Sequence, residues 1–65
     1  MSPGEYLTAK RVENAKSLLV NELISIDEVA EKCGFFSRAY FDVTFKNVTG
    51  VTPAGFRKSF NNSGI

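Results

Sequence analysis

The sequence predicts an all-α fold, a small four-helix domain whose two middle helices form a helix-turn-helix. Apolar residues recur at helical spacing, and capping residues mark four helix starts. Only three or four residues, including Gly34, separate the second and third helices, which is the turn length of that motif. Hydrophobic residues make up 43% of the 65, so we expect one domain with its own core over residues 1–65.

The first helix is expected over residues 3–20. Ser2 is a candidate N-cap, Pro3 suits the first helical position, and Glu5 has the spacing of a capping box. Its apolar stripe consists of Leu7, Val12, Ala15, Leu18 and Leu19. This pattern indicates a long amphipathic helix.

The second helix begins the helix-turn-helix, which we expect over residues 25–48. Ser25 and Glu28 again have capping-box spacing, and Gly34 stands where a left-handed C-terminal cap is needed. The apolar positions of this helix are Ile26, Val29, Ala30 and Cys33. The helix is therefore predicted to be short and sharply bounded.

The third helix is predicted from residue 38 to about residue 48, with Ser37 as its N-cap and Gly50 beyond its end. A threonine followed by a proline opens the last helix, over residues 52–59. Residues 61–65 are expected to form a frayed tail.

Aromatic rings alternate with charged residues in the stretch GFFSRAYFDVTFK, which allows two interpretations. Rings on a basic surface can stack on single-stranded nucleic acid, whereas rings at helical spacing usually pack into a core. On a helical wheel Phe41, Phe45 and Val48 share one face, and Phe35 directly follows the glycine cap. We therefore expect these residues in the core.

Two other rings of this stretch are not assigned to the core. Tyr40 lies at the margin of the inward face, where its ring would be half-buried and its hydroxyl directed to water or a phosphate. Phe36 lies in the turn, and its position leaves open a contact with protein or nucleic acid or simple partial exposure.

The outward face of the third helix carries Arg38, Ala39, Asp42, Val43 and Lys46. A helix with small and polar residues outward fits the major groove of DNA, where Arg can donate two hydrogen bonds to guanine. Arg38 is thus the candidate for base reading, with a weak ion pair to Asp42 as its alternative. Val43 suits a thymine methyl group or is an ordinary surface valine. Three basic residues suit contacts with phosphate: Lys46, Arg57 and Lys58. The alternative for each is an ordinary solvated surface charge.

Composition disfavours catalysis and a metal or cofactor site. The chain has no His and a single Cys, Cys33, so His-dependent nucleophiles and soft-ligand zinc sites cannot be built. Cys33 is expected as a buried apolar residue. No apolar run has the roughly 20 residues that span a bilayer, and no signal-peptide pattern begins the chain. We expect a cytoplasmic protein that is not an enzyme, without cofactor or membrane partner.

The run SIDEVAEKCGFFSRAYFDVTFKNVTGVTPAGFR resembles the second helix-turn-helix and following helix of AraC/XylS-family transcription regulators. The matching positions are Ile26, Val29, Ala30, Gly34, Phe35, Tyr40, Phe41, Phe45, Lys46, Gly50, Thr52, Pro53, Phe56 and Arg57. Upstream, SPGEYLTAKRVENAKSLL resembles the linker helix of that family. The resemblance implies a homeodomain-like three-helix core with a long N-terminal linker helix. Since family members usually carry another such unit before the linker, it also implies a piece of a larger regulator.

The resemblance further implies which residues meet DNA. Base contacts are implied at Arg38, Ala39, Asp42 and Val43, and backbone contacts at Ser37, Lys46, Thr52 and Arg57. Many family members carry Arg where this chain has Val43, and Asp42 makes the helix less basic still. Binding to double-stranded DNA is therefore expected to be weak in isolation, by a monomeric chain.

The predicted function is sequence-specific DNA binding by half of a bipartite AraC-type domain that regulates transcription, with recognition helix 38–48 in the major groove. The alternative is a protein-interaction module that contacts RNA polymerase or the missing half-domain. It depends on the acidic second helix, whose Glu28 and Glu31 are expected to be exposed and could make this contact while Val43 and Phe36 rest on protein.

Overall fold

The computed structural model describes residues 3–62, which form four α-helices. Their bounds are α1 Pro3–Leu19, α2 Ile26–Lys32, α3 Arg38–Thr49 and α4 Pro53–Asn62. α1 packs against each of the other helices, and α3 packs against both α2 and α4. The predicted all-α fold with a central helix-turn-helix is confirmed.

Three of the helix starts have the predicted side-chain caps. The hydroxyl oxygens of Ser25 and Ser37 each accept a hydrogen bond from the amide three residues later, at 3.1 Å. Thr52 does the same for α4 at 3.0 Å. Each cap satisfies an amide that has no partner inside its helix. The predicted N-cap Ser2 lies outside the described residues.

The turn between α2 and α3 is formed by a left-handed glycine. Gly34 has φ +83°, a conformation that strains residues with a side chain. Its amide donates to the Glu31 carbonyl at 3.2 Å, and the Phe35 amide donates to the Ala30 carbonyl at 3.0 Å. This pair of bonds is the Schellman ending, which stops α2 and reverses the chain into α3.

The core lies where α1, α2 and α3 meet. Its buried apolar residues are Val12, Ala15, Leu19, Val29, Ala30, Cys33, Phe35, Phe41 and Phe45. Ring centroids of Phe35 and Phe41 lie 4.7 Å apart, and Phe45 lies 5.7 Å from Phe41 and 5.6 Å from Phe56. Three of the predicted core rings are therefore confirmed, and a continuous row of aromatic contacts joins the turn to α4.

The prediction that Val48 belongs to the core is wrong, because 51% of this residue is exposed. Leu7, from the predicted apolar stripe of α1, is also 47% exposed. An open groove lies beside Val48, and residues of α1, among them Thr8 and Ala9, line its other side. A helical wheel assigns faces, but it does not show how far along a helix the neighbouring helices reach.

The last helix is longer than predicted. α4 continues to Asn62, beyond the expected end at residue 59, so the first two residues of the predicted tail are helical. No Gly or Pro interrupts the chain there, and the rings of Phe56 and Phe60, one turn apart, stack at 6.4 Å. Residues 63–65 of the predicted tail lie outside the described residues.

Within residues 3–62, no helix is long and apolar enough to cross a membrane. In the same range, no group of three or more His, Cys, Asp or Glu residues is placed to hold a metal ion.

Candidate nucleic-acid interface

The face of α3 opposite the core reaches solvent, as the wheel predicted. Ala39 and Lys46 are exposed, and 60% of Val43 is exposed. The side chains of Arg38 and Asp42 are 40% and 39% exposed. The outward side of α3 therefore combines two small apolar side chains with both signs of charge.

Two carboxylates hold the guanidinium of Arg38. Its Nε donates to Asp42 Oδ1 at 3.1 Å, which is the predicted pair one turn along α3. Its Nη1 donates to Asp27 Oδ1 at 2.9 Å, across the turn, on α2. Arg38 is thus fixed from two helices rather than one.

These contacts have an electrostatic consequence for Arg38. The hydrogen bond to Asp27, followed by that to Asp42, raises the pKa of Arg38 above its ordinary value. Nη2 makes no hydrogen bond among the described residues and stays available to a further acceptor.

The cap residues Ser37 and Thr52 keep one hydrogen-bonding function free. In each case the hydroxyl oxygen accepts from a helix amide, which leaves the hydroxyl hydrogen able to donate elsewhere. A hydroxyl at a helix start can therefore cap the helix and meet an anion at the same time.

Arg57 has partners that the sequence did not predict. Its Nε donates to the carbonyl of Leu19 at 2.8 Å, and its Nη2 donates to the carbonyls of Asn21 at 3.2 Å and Ile24 at 2.6 Å. Leu19 ends α1, so the cation also lies at the negative end of that helix. Arg57 binds α4 to the α1–α2 corner, and a contact with phosphate has to use Nη1 or compete with these carbonyls.

The two lysines predicted to suit phosphate are unpaired on the surface. Lys46 and Lys58 are exposed, and neither has an ion-pair partner among the described residues. Both are therefore free to move toward a negatively charged partner.

The aromatic residues of the central stretch divide into buried and exposed rings. Phe41 and Phe45 are fully buried, so they form no platform for stacked bases. Tyr40 is 48% exposed, as expected for a ring at the margin, and lies 6.0 Å from the ring of Phe35. Phe36 is 95% exposed at the turn, close to the acidic side chains of α2.

Sequence reasoning missed Asp27 as a partner of Arg38. The two residues are separated by the turn, and helical periodicity relates positions only within one helix. The available signal was the turn itself: a short turn brings the first residues of α3 close to α2, where Asp27 is one of three carboxylates.

Comparisons with known proteins agree with this geometry. A family profile described as a helix-turn-helix domain matches residues 1–59. The HTH-type transcriptional activator RhaR of Salmonella arizonae is 36% identical over 63 residues, which cover 97% of this chain and 22% of that protein. Proteins of the same name from Salmonella newport and Salmonella enteritidis match with the same identity and coverage. No solved structure matches. The chain belongs to the AraC-type helix-turn-helix family of transcription regulators.

Proposed function

We propose that this chain binds double-stranded DNA sequence-specifically, with α3 in the major groove, as part of the DNA-binding region of a transcription regulator. The supporting observation is the division of α3: Phe41 and Phe45 lie in the core, and the opposite face presents Arg38, Ala39 and Val43 to solvent. A face of this size and chemistry fits a groove about 12 Å wide.

The roles divide between bases and backbone. Base edges would meet Arg38, Ala39, Asp42 and Val43. Phosphates would meet Ser37, Lys46, Thr52 and Arg57, of which Lys46 is unpaired and Arg57 already has carbonyl partners. Arg38 would donate to guanine through Nη2 and the remaining hydrogen of Nη1.

The chain alone is expected to bind weakly and as a monomer. Asp42 is part of the proposed contact surface, and only a few cations on that side are unpaired. Each phosphate neutralised contributes about −0.9 to the slope of log affinity against log salt, so a small number gives a shallow slope. The chain spans about a fifth of the length of the curated relatives it matches, and activation of transcription is proposed only for a whole protein of that kind.

We assign the chain no catalytic role, no metal and no cofactor, and we place it in the cytoplasm, where DNA is accessible in bacteria. A contact with RNA polymerase is proposed for the turn, because Phe36 is 95% exposed beside Asp27 and Glu31. An apolar ring among carboxylates suits a basic protein surface better than a phosphate backbone.

The proposed function is tested by comparing two variants on two duplexes. A duplex selected by this chain from a randomised pool serves as the specific site, and its scrambled sequence serves as the non-specific site. Arg38→Ala is expected to weaken binding to the selected duplex by about 1–3 kcal/mol and to change binding to the scrambled duplex much less. Lys46→Ala is expected to weaken both alike and to reduce the salt slope by about one unit.

Lys10→Ala is the matched control, since it removes the same charge from an exposed position of α1, outside the outward face of α3. Equal losses for Arg38→Ala on both duplexes would refute base reading by this residue. Failure to select any preferred sequence at low salt would refute sequence-specific binding by the chain.

A further inference from the structure

We infer that Asp27, on α2, is a positioning residue for base recognition: together with Asp42 it orients the guanidinium of Arg38 toward guanine and away from phosphate. This inference rests on the proposed DNA binding by α3. It assigns a specificity-determining role to a residue that lies outside the recognition helix.

The geometry of the two ion pairs carries the inference. Asp42 Oδ1 accepts from Nε at 3.1 Å and Asp27 Oδ1 accepts from Nη1 at 2.9 Å, so the planar guanidinium is anchored at two of its nitrogens. The two carboxylates belong to different helices. If one aspartate side chain rotates, the guanidinium is therefore still held by the other. Ordering a long side chain before binding removes part of the entropy cost of binding.

The same contacts leave the donors that guanine needs. Nη2 and one hydrogen of Nη1 remain available, and a pair of adjacent N–H groups matches the O6 and N7 atoms of guanine. A bond to guanine would thus add to the carboxylate contacts rather than replace them. Because the pairs are partly exposed, they stay in place only while no stronger acceptor displaces them.

The negative charge of the two carboxylates disfavours a contact between Arg38 and phosphate. A free arginine at the start of α3 would bind any phosphate, which adds affinity without sequence information. Two carboxylates within hydrogen-bonding distance neutralise that attraction and repel phosphate themselves. Asp27 and Asp42 should therefore lower non-specific affinity while they preserve the preference for guanine.

The experiment measures guanine preference in the Asp27→Asn variant of the whole chain. Selections from a randomised pool with the unchanged chain and with Arg38→Ala first identify the G·C pair that only the unchanged chain selects. The two probes are the duplex selected by the unchanged chain and a copy of it in which this G·C pair is replaced by A·T. For Asp27→Asn we expect the preference for the G·C duplex to fall about fivefold or more. Affinity for the A·T duplex should stay equal or rise up to about threefold, since one negative charge is removed.

Glu31→Gln is the matched control. It removes the same charge from the same helix and the same side of the turn, and Glu31 makes no ion pair with Arg38. It should raise affinity for both duplexes alike and leave the ratio unchanged. Asp27→Glu, which restores the carboxylate, should recover part of the preference, and circular dichroism at the binding temperature checks that every variant is folded.

The outcomes separate this inference from the proposed function. If Arg38→Ala abolishes guanine preference but Asp27→Asn behaves as Glu31→Gln does, base reading stands and the positioning role is wrong. If Asp27→Asn increases the preference for guanine, the carboxylates sequester Arg38 and the inference is also wrong. If Arg38→Ala leaves the preference intact, the proposed function of Arg38 fails first.

Discussion

Arg38 and Arg57 are both basic residues that the sequence assigns to DNA, yet they occupy different surroundings. Arg38 begins α3 and donates to two side-chain carboxylates at the surface. Arg57 lies in α4 and donates to three main-chain carbonyls at the α1–α2 corner. The first arrangement can accept a further partner, whereas the second holds helices together.

This difference shows that residue type does not determine a role. A carboxylate near the surface competes with water for the hydrogens of the arginine, so its ion pair contributes little to stability. A carbonyl at a helix end has lost its helical partner, so a cation there satisfies an otherwise unpaired group. We therefore expect Arg57 to matter mainly for folding and Arg38 mainly for recognition.

The largest expected effect on stability is that of Arg57→Ala. Removing a charged donor from three carbonyls should lower the free energy of unfolding by about 2–3 kcal/mol. Urea denaturation followed by circular dichroism measures the loss. Arg57→Lys should recover only a minor part, because an ammonium lacks the planar fork that reaches several acceptors. A loss below about 0.5 kcal/mol, the range of ordinary surface substitutions, would contradict a structural role for Arg57.

Arg38→Ala should have a much smaller effect on the same measurement. Its ion pairs are partly exposed, and we expect a loss of at most about 1 kcal/mol. In 1 M NaCl this loss should shrink further, since salt screens exposed charges, while the loss caused by Arg57→Ala should largely persist. Equal losses for both arginines at both salt concentrations would remove the distinction drawn between them.

The sequence predicted what depends on neighbouring residues. The caps Ser25, Ser37 and Thr52 and the left-handed Gly34 follow from local hydrogen bonding and backbone conformation, and the structure confirms them. The outward face of α3 followed from the helical repeat in the same way. Such features need no knowledge of how helices pack.

What the sequence could not predict depends on packing between helices. The bond from Arg38 to Asp27 and the carbonyl partners of Arg57 join residues on different elements. The exposure of Val48 depends on whether a neighbouring helix covers that turn of α3. The roles proposed for the site residues in DNA binding likewise remain predictions.

The smallest expected effect concerns Cys33, the C-cap residue of α2. Burial raises the pKa of its thiol above the ordinary value of 9.0. Because the folded value is the higher one, the contribution to stability is fully present below pH 9.0 and is lost as pH rises through the folded pKa. Between pH 8 and pH 10 the native chain should lose more stability than Cys33→Ala does. Identical losses would show that the thiol does not contribute.

Contact between DNA and the outward face of α3 can be measured by amide NMR shifts during titration with a duplex at low salt. We expect the shift changes to concentrate on residues 37–46, with few on the first turns of α1. Changes confined to α2 and Phe36, or no changes at all, would show that this face does not bind DNA.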